Sequence, residues 1–408
     1  MHRAGRLRGP FWYQLPVHSP LTLAGLSAGL QAATGLKRDG AFRLREHLAA
    51  EHGSERALLF GSGTAALQVA LELALNRAVR SGGERSLALP AYSCFDVASG
   101  AAWTHARLHF YDLNPDTLSP DLTSLRRAFE AGASVLLACP LFGLPLQWDA
   151  LREITREYGA TIVHDAAQAF GLRMDGGQGP GAFGDLVVLS FGKGKGWTGG
   201  RGGAVLLPPG SEVEGIADFG SATISDEGRV ILGAAAQWLL GRPQVYGGPV
   251  RIPWLKLGET IYHPPRAPRP MTRAAAGIVL AGRAASEREV VHRVANARDL
   301  LSRLSESPGL RAVGMHQHPG AAFLRLPLLG TRGMHGFPSP ERARRLGVSP
   351  GYPLPLPELP SVSGPASAVE SWPGAKLLSE GLITMPTHSR LRPGDIEDLI
   401  ELASEYGG

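Results

Sequence analysis

The stretch DLVVLSFGKGKGWTGGRGGAVLL, residues 185–207, decides the fold. Two short apolar runs flank a loop made largely of glycine, with Lys193, Lys195 and Arg201 set into it. Each run has strand length and no polar alternation, which is how a strand reads when both faces of its sheet are covered. The chain holds five lysines against thirty-six arginines, and two of the five stand in this loop. A guanidinium keeps its proton, whereas a primary amine can lose one and attack. A lysine between two buried strands is partly desolvated, and that favours the neutral nucleophile. The stretch therefore points to amine chemistry at the end of a buried strand.

Reading outward, the same pattern recurs. FRLREHLAAEHG, ALLF and TAALQVALELALNRAV read as helix, strand and helix over residues 42–79. SLALP, RLHFYDL, SVLLACP and TIVHD then read as strands. Helices are expected near 94–103, near 121–131, at WDALREITREYG and at AAQAF. Strands alternating with helices predict an α/β fold with a mostly parallel sheet covered on both faces, whose ligands bind beyond the carboxyl ends of the strands. Residues 208–272 break the pattern with one helix near 229–241 and then a proline-rich passage, a linker or surface excursion. A helix from Thr272 to Ser305, strand-like LRAVGMHQH and AAFLRLPLL, and a capped helix in PGDIEDLIELASEY predict a smaller α+β unit. The expected division is an N-terminal arm and helix over 1–39, a large domain over 40–269 and a small C-terminal domain over 270–408.

With 408 residues, 44% of them hydrophobic and 19% charged, the chain can bury a sizeable core. The net charge of +5 comes from scattered arginines with no basic stripe, so no nucleic-acid partner is expected. Cys94 and Cys139 make no CxxC pair and the histidines no HExxH motif, so neither a disulfide framework nor a metal site is expected. This cysteine usage fits the cytoplasm. Basic residues followed by LTLAGLSAGLQAA imitate a signal peptide, but Pro10, Pro16 and Pro20 interrupt the run. Ser19-Pro20 reads as the cap and first residue of an amphipathic helix, and no membrane insertion is expected.

Three places can carry chemistry. In GSGTAAL, Gly61 to Gly63 end a strand and Thr64 opens a helix. The first-turn N–H groups and helix dipole there form an anion site, although an ordinary strand-to-helix turn has the same residues. In TIVHDAAQAFG, Asp165 ends a strand, where it either caps the next helix or stands under a protonated ring nitrogen. In the opening stretch, Ser190 ends a strand and the lysines come directly after it. A phosphate cradle, a carboxylate and an amine, each at a strand end, are the groups a pyridoxal phosphate enzyme must supply.

These residues resemble the DegT/StrS-type sugar aminotransferases, enzymes of PLP fold type I. SGTAAL at 62–67 is similar to that family's phosphate-loop motif and HDAAQAFG at 164–171 to EDxAQAxG. GDLVVLSFGKGKGWTGGRGGAVLL at 184–207 is similar to GDxxxFSFxxxKxxTxGEGGxV, and LITMPTHSRLRPGDIEDLIELA to LxLPxHxxLxxxDIxxVxxxL. The resemblance runs from about residue 40 to 404. It implies a seven-stranded-type sheet and Lys195 as the Schiff-base lysine, five residues after Ser190. Lys193 is then a helper near the phosphate or plain surface. Asp165 would pair with the pyridinium nitrogen and Gln168 with the ring hydroxyl. Gly63, Thr64 and Ser190 would hold the phosphate. Where relatives place an aromatic residue over the ring, PAYSCF puts Cys94, with Tyr92 and Phe95 beside it. The GEGG glutamate is Arg201 here, and LGETIYHPPRAPRPMTR replaces the GxNYR motif that makes contacts across a dimer. The resemblance implies a homodimer that moves an amino group, with glutamate as donor, to a keto-sugar linked to a nucleotide. A cyclitol ketone as acceptor and a non-catalytic PLP-binding regulator are the alternatives.

Overall fold

The seven strands expected between residues 56 and 207 form one sheet in the computed structural model, which describes residues 9, 11–37, 39–174, 177–211, 220–252, 260–304, 309–362 and 371–407. They are β1 (Arg56–Phe60), β2 (Ser86–Pro90), β3 (Arg107–Tyr111), β4 (Val135–Ala138), β5 (Thr161–Asp165), β6 (Leu186–Ser190) and β7 (Gly203–Leu207). Their order across the sheet is β1-β7-β6-β5-β4-β2-β3. Every neighbouring pair is parallel except those made by β7, which runs antiparallel to β1 and to β6. The sheet is thus mostly parallel, as its unbroken apolar strands require.

Helices cover both faces. In chain order they begin α1 (Leu23–Ala33), α2 (Gly40–His52), α3 (Gly63–Arg80), α4 (Phe95–Trp103), α5 (Leu122–Glu130) and α6 (Trp148–Glu157). They continue with α7 (Ile224–Leu240), α8 (Pro243–Val250), α9 (Arg273–Leu304), α10 (Pro340–Arg345), α11 (Pro373–Gly381) and α12 (Pro393–Ser404). One face packs α3 through Leu67, Leu71 and Leu75 into a core shared with β2 and β4. The other packs Leu44 and Leu48 of α2 and Ile278 and Val279 of α9 against Leu59, Leu189 and Leu206. The strands β8 (Leu310–Ala312), β9 (Leu326–Gly330), β10 (Ser349–Pro350) and β11 (Leu382–Met385) form a second, antiparallel sheet in the order β10-β11-β9-β8. Helix α9 is about 48 Å long at the usual rise. Its first turns pack on the large sheet, and Ala297, Leu300 and Leu304 pack near the small one. Among the described residues no helix is long and apolar enough to cross a membrane.

The local expectations fail in three places. AAQAF is not a helix: Ala169 and Leu172 donate to the carbonyls of Ala166 and Ala169, three residues back, and Gly171 at φ +89° turns the chain away. Ser19 does not cap α1. The helix starts at Leu23, and Thr22 caps it by accepting from the Gly25 N–H at 2.9 Å. Ahead of the proline-rich passage stands an unexpected helix, α8, which opens on Pro243, a position where proline's missing N–H costs nothing. Ser305, the expected end of the long helix, and the LGE of LGETIYH lie outside the described residues.

The two sheets meet through a buried carboxylate. Asp112, directly after β3, accepts from Gly374 N–H at 2.8 Å and Ala375 N–H at 2.7 Å, so it caps the first turn of α11 from outside. Its own neighbour Leu113 donates to it as well, at 2.9 Å. Replacing it leaves buried donors without an acceptor. Asp112→Ala should lower the unfolding free energy by about 2–3 kcal/mol, read as a shift in the urea midpoint, with Asp112→Asn losing less.

Candidate active site

Strands β2, β4, β5 and β6 end on one side of the sheet, and a cavity of about 540 Å³ opens there. Each functional side chain reaches it by a different local device. Ser62 caps α3 by accepting from Ala65 N–H at 3.1 Å, which leaves Gly63 and Thr64 in the first turn, where a helix has no acceptors of its own. A Cβ on Gly63 would stand 2.5 Å from Ser190 Oγ, so only glycine lets the start of α3 close against the end of β6. The positive end of an eighteen-residue helix therefore faces the cavity beside a serine hydroxyl.

Asp165 ends β5 and lines the same cavity. Its carboxylate accepts from Ala167 N–H at 3.0 Å. Burial pushes its pKa up and Asp96 adds to the rise, against the opposing pull of Lys195 and of the Ala167 N–H. Lys195 is half-buried on the loop after β6, and Lys193 on the same loop is exposed; both line the cavity. The loop is a closed structure. Thr198 Oγ donates to the carbonyls of Phe191 and Gly192, each at 3.1 Å, and Gly199 N–H returns to Phe191 O at 2.9 Å. Trp197 pins it to α9 by donating to Val279 O at 2.8 Å.

Of the residues expected at the site, Gly63, Thr64, Cys94, Asp165, Gln168, Ser190 and Lys195 line this cavity together. Phe95 does not. It is 5% exposed, buried in the core beneath α4, because one helical step turns it away from its neighbour Cys94. Tyr92 is likewise fully buried, and its hydroxyl accepts from Tyr352 N–H at 2.8 Å. Gln168 lines the cavity with its amide already engaged: Oε1 accepts from Phe142 N–H at 2.9 Å and Nε2 donates to the Tyr352 hydroxyl at 2.8 Å. The Cys94 thiol is pushed up to about 11 by burial and by Asp96, so it is protonated at neutral pH. No Phe, Tyr or Trp is among the described residues that line the cavity; among them His263 brings the one aromatic ring.

Sequence reasoning missed Cys139, Asp96 and His263 as lining residues. Cys139 follows the end of β4 by one residue and could have been found from that position alone. His263 carried no signal, since it sits in an irregular proline-rich passage far along the chain. Arg201 was noted only as a departure from a motif; it lines the cavity with its side chain exposed, next to Gly202, which bridges to Ser62.

The profile of the DegT/DnrJ/EryC1/StrS aminotransferase family matches residues 30–238. The chain is 32% identical over 162 residues to 3-amino-5-hydroxybenzoate synthase of Amycolatopsis mediterranei, covering 40% of each. It is 28% identical over 207 residues to L-glutamine:2-deoxy-scyllo-inosose aminotransferase of Streptomyces kanamyceticus, covering 49% of this chain and 47% of that protein. The chain thus spans less than half the length of these two curated relatives. Among solved structures, DesI in the presence of its TDP-sugar product superposes with a TM-score of 0.71 at 19% identity, over 97% of this chain and 94% of that one. That likeness is one of fold.

The raised Asp165 pKa carries a sign. A carboxyl whose folded pKa lies above its unfolded value favours folding most below the ordinary value of 3.8, and that contribution is lost as pH rises through the folded value. Asp165→Asn should therefore raise the melting temperature of the cofactor-free protein at pH 7. The advantage should disappear as the pH is lowered below about 3.8, which melting curves at both pH values would check.

Proposed function

The chain belongs to the DegT/DnrJ/EryC1/StrS aminotransferase family, and on that premise we propose that it is a pyridoxal 5'-phosphate-dependent aminotransferase acting on a keto-sugar linked to a nucleotide, with glutamate as amino donor. The observation that carries this reading is the meeting of Lys195, Asp165 and the first turn of α3 in one cavity. The donor set fits the cofactor. Gly63 and Thr64 N–H with Ser190 Oγ form a cradle for its phosphate, and the cradle would be filled by any Cβ at residue 63.

When bound, pyridoxal phosphate supplies the electron-accepting ring on which an amino group changes hands. The chain's own residues do the rest. Asp165, whose charged form is disfavoured by burial, gains a cationic partner when it faces a protonated ring nitrogen, and so keeps that nitrogen protonated. The Lys195 amine would hold the cofactor. Its Nζ, when free, would take a proton from the donor's α-carbon and return one to the carbon that receives nitrogen. Cys94 and Cys139, both raised by burial, stay as neutral thiols along the wall and compete with neither task.

A cyclitol ketone is the second acceptor class. It is favoured by the passage that brings His263 to the cavity where the GxNYR motif is missing, and by a relative named for 2-deoxy-scyllo-inosose. A homodimer is the proposed assembly. On the neighbouring helices α1 and α7, Leu23, Leu30, Ile224, Leu232 and Leu239 are each more than half exposed, a density of apolar side chains that calls for cover.

Three measurements test this. Protein loaded with pyridoxal phosphate should show a visible absorbance band that glutamate bleaches, and Lys195→Ala should lack the borohydride-reducible linkage and lose on the order of 10³-fold or more in turnover. A panel of nucleotide-linked keto-sugars and free cyclitol ketones, offered to the aminated enzyme, assigns the acceptor. Leu232→Glu should shift the mass in light scattering from two chains toward one.

A further inference from the structure

Residues 12–21 form an extended arm without a ladder of its own, and its polar groups are satisfied by distant parts of the chain. Tyr13 N–H donates to Pro243 O and Gln14 N–H to Arg345 O, each at 2.9 Å. The Gln14 side chain donates to the Asp395 carboxylate at 2.9 Å and to Arg390 O at 3.1 Å. His388 Nε2 meets Leu15 O at 2.7 Å, while its Nδ1 accepts from Arg390 N–H, so Nε2 is the donor. These contacts tie the arm to α8 and to the C-terminal unit.

The arm then reaches the loop that bears Lys195. Arg293 Nη2 donates to His18 O at 2.8 Å, and the next residue, Ser19, donates from Oγ to Lys195 O at 2.8 Å. Pro20 confines Ser19 to extended backbone, which holds that hydroxyl in place. Among the described residues Ser19 is the hydrogen-bond partner of the Lys195 main chain. Arg293 is 0% exposed; its Nε lies 3.9 Å from Glu289 Oε1, and neither Nε nor Nη1 makes a hydrogen bond. It lies against the loop: a Cβ on Gly196 would stand 3.1 Å from Nη1. An arginine buried with so little compensation is costly, so packing alone does not account for it.

We propose that Ser19 and Arg293 are positioning residues for Lys195: Arg293 fixes the arm at His18, and Ser19 fixes the main chain that carries the amine. This rests on Lys195 being the amine that holds the cofactor. The side chain of a lysine pivots on its own Cα, so a latch on the adjoining carbonyl narrows the directions from which Nζ approaches an aldehyde. In the reaction used to test it, Nζ adds to the aldehyde carbon of pyridoxal phosphate, water leaves, and cyanoborohydride delivers hydride to fix the bond.

The experiment compares the full-length protein with Ser19→Ala, Ser19→Thr and Arg293→Met. Amide hydrogen exchange over residues 191–199 is read without cofactor, and the rate of Lys195 labelling by pyridoxal phosphate with cyanoborohydride is read as mass on the peptide. Ser19→Ala should exchange about tenfold faster in the loop and label Lys195 about tenfold slower, with Ser19→Thr restoring both. Arg293→Met should match Ser19→Ala if it folds, and the serine pair decides the matter if it does not. Unchanged exchange in Ser19→Ala overturns the latch. Faster exchange with labelling equal to the unaltered protein overturns the positioning role and leaves a structural bond. No label on Lys195 in the unaltered protein overturns the proposed function and the positioning role with it.

Discussion

The register between β5 and β6 is the constraint on which the rest of the site depends. His164 pairs with Val187 and Asp165 with Val188, and Ala166 N–H continues the ladder to Val188 O at 2.9 Å. A slip of one residue would turn every side chain of the strand to the opposite face and carry Asp165 away from the cavity. The slip is barred at the other end, where Asp185 accepts from Ile162 N–H at 2.7 Å through its side chain and donates its own N–H to Ile162 O at 2.9 Å. Ser190, two residues past the pairing partner of Asp165, then meets Gly63, and Lys195 comes next from the closed loop. Asp165, Ser190 and Lys195 thus reach one cavity as consequences of one pairing.

Much of this was legible because it is local. Unbroken apolar runs named the strands, and the strand ends named Gly63, Asp165 and Ser190. Lys195 rested on spacing within a motif. The readings that failed have two causes. AAQAF has helical composition, but a strand pairing on one side and Gly171 on the other leave room only for tight turns. Phe95 stands beside Cys94 in sequence, yet the first turn of α4 sends the two side chains in different directions. Tertiary context overrode the helical composition of AAQAF, and local helix geometry decided Phe95.

The arm was illegible for a different reason. Its bonds join residues separated by hundreds of positions, such as Gln14 with Asp395, and no window of sequence contains both partners. Ser19 reads locally as a helix cap, and only the fold shows that Thr22 takes that duty and frees the Ser19 hydroxyl for Lys195. Arg293 reads as one more polar position on a long helix. Its complete burial is set by α9 running between the two sheets with the arm lying across it.

Those long-range bonds also order events during synthesis. The large sheet is finished once residue 207 has been made, and its strands can pair as soon as they emerge. The arm is made before the sheet, but its partners Arg345, His388, Arg390 and Asp395 are made after it. The arm is therefore held by residues made well after the sheet that follows it. A chain halted between residues 207 and 345 would hold a formed sheet with its lysine loop unlatched, and the emergence of residues 345–395 would close it.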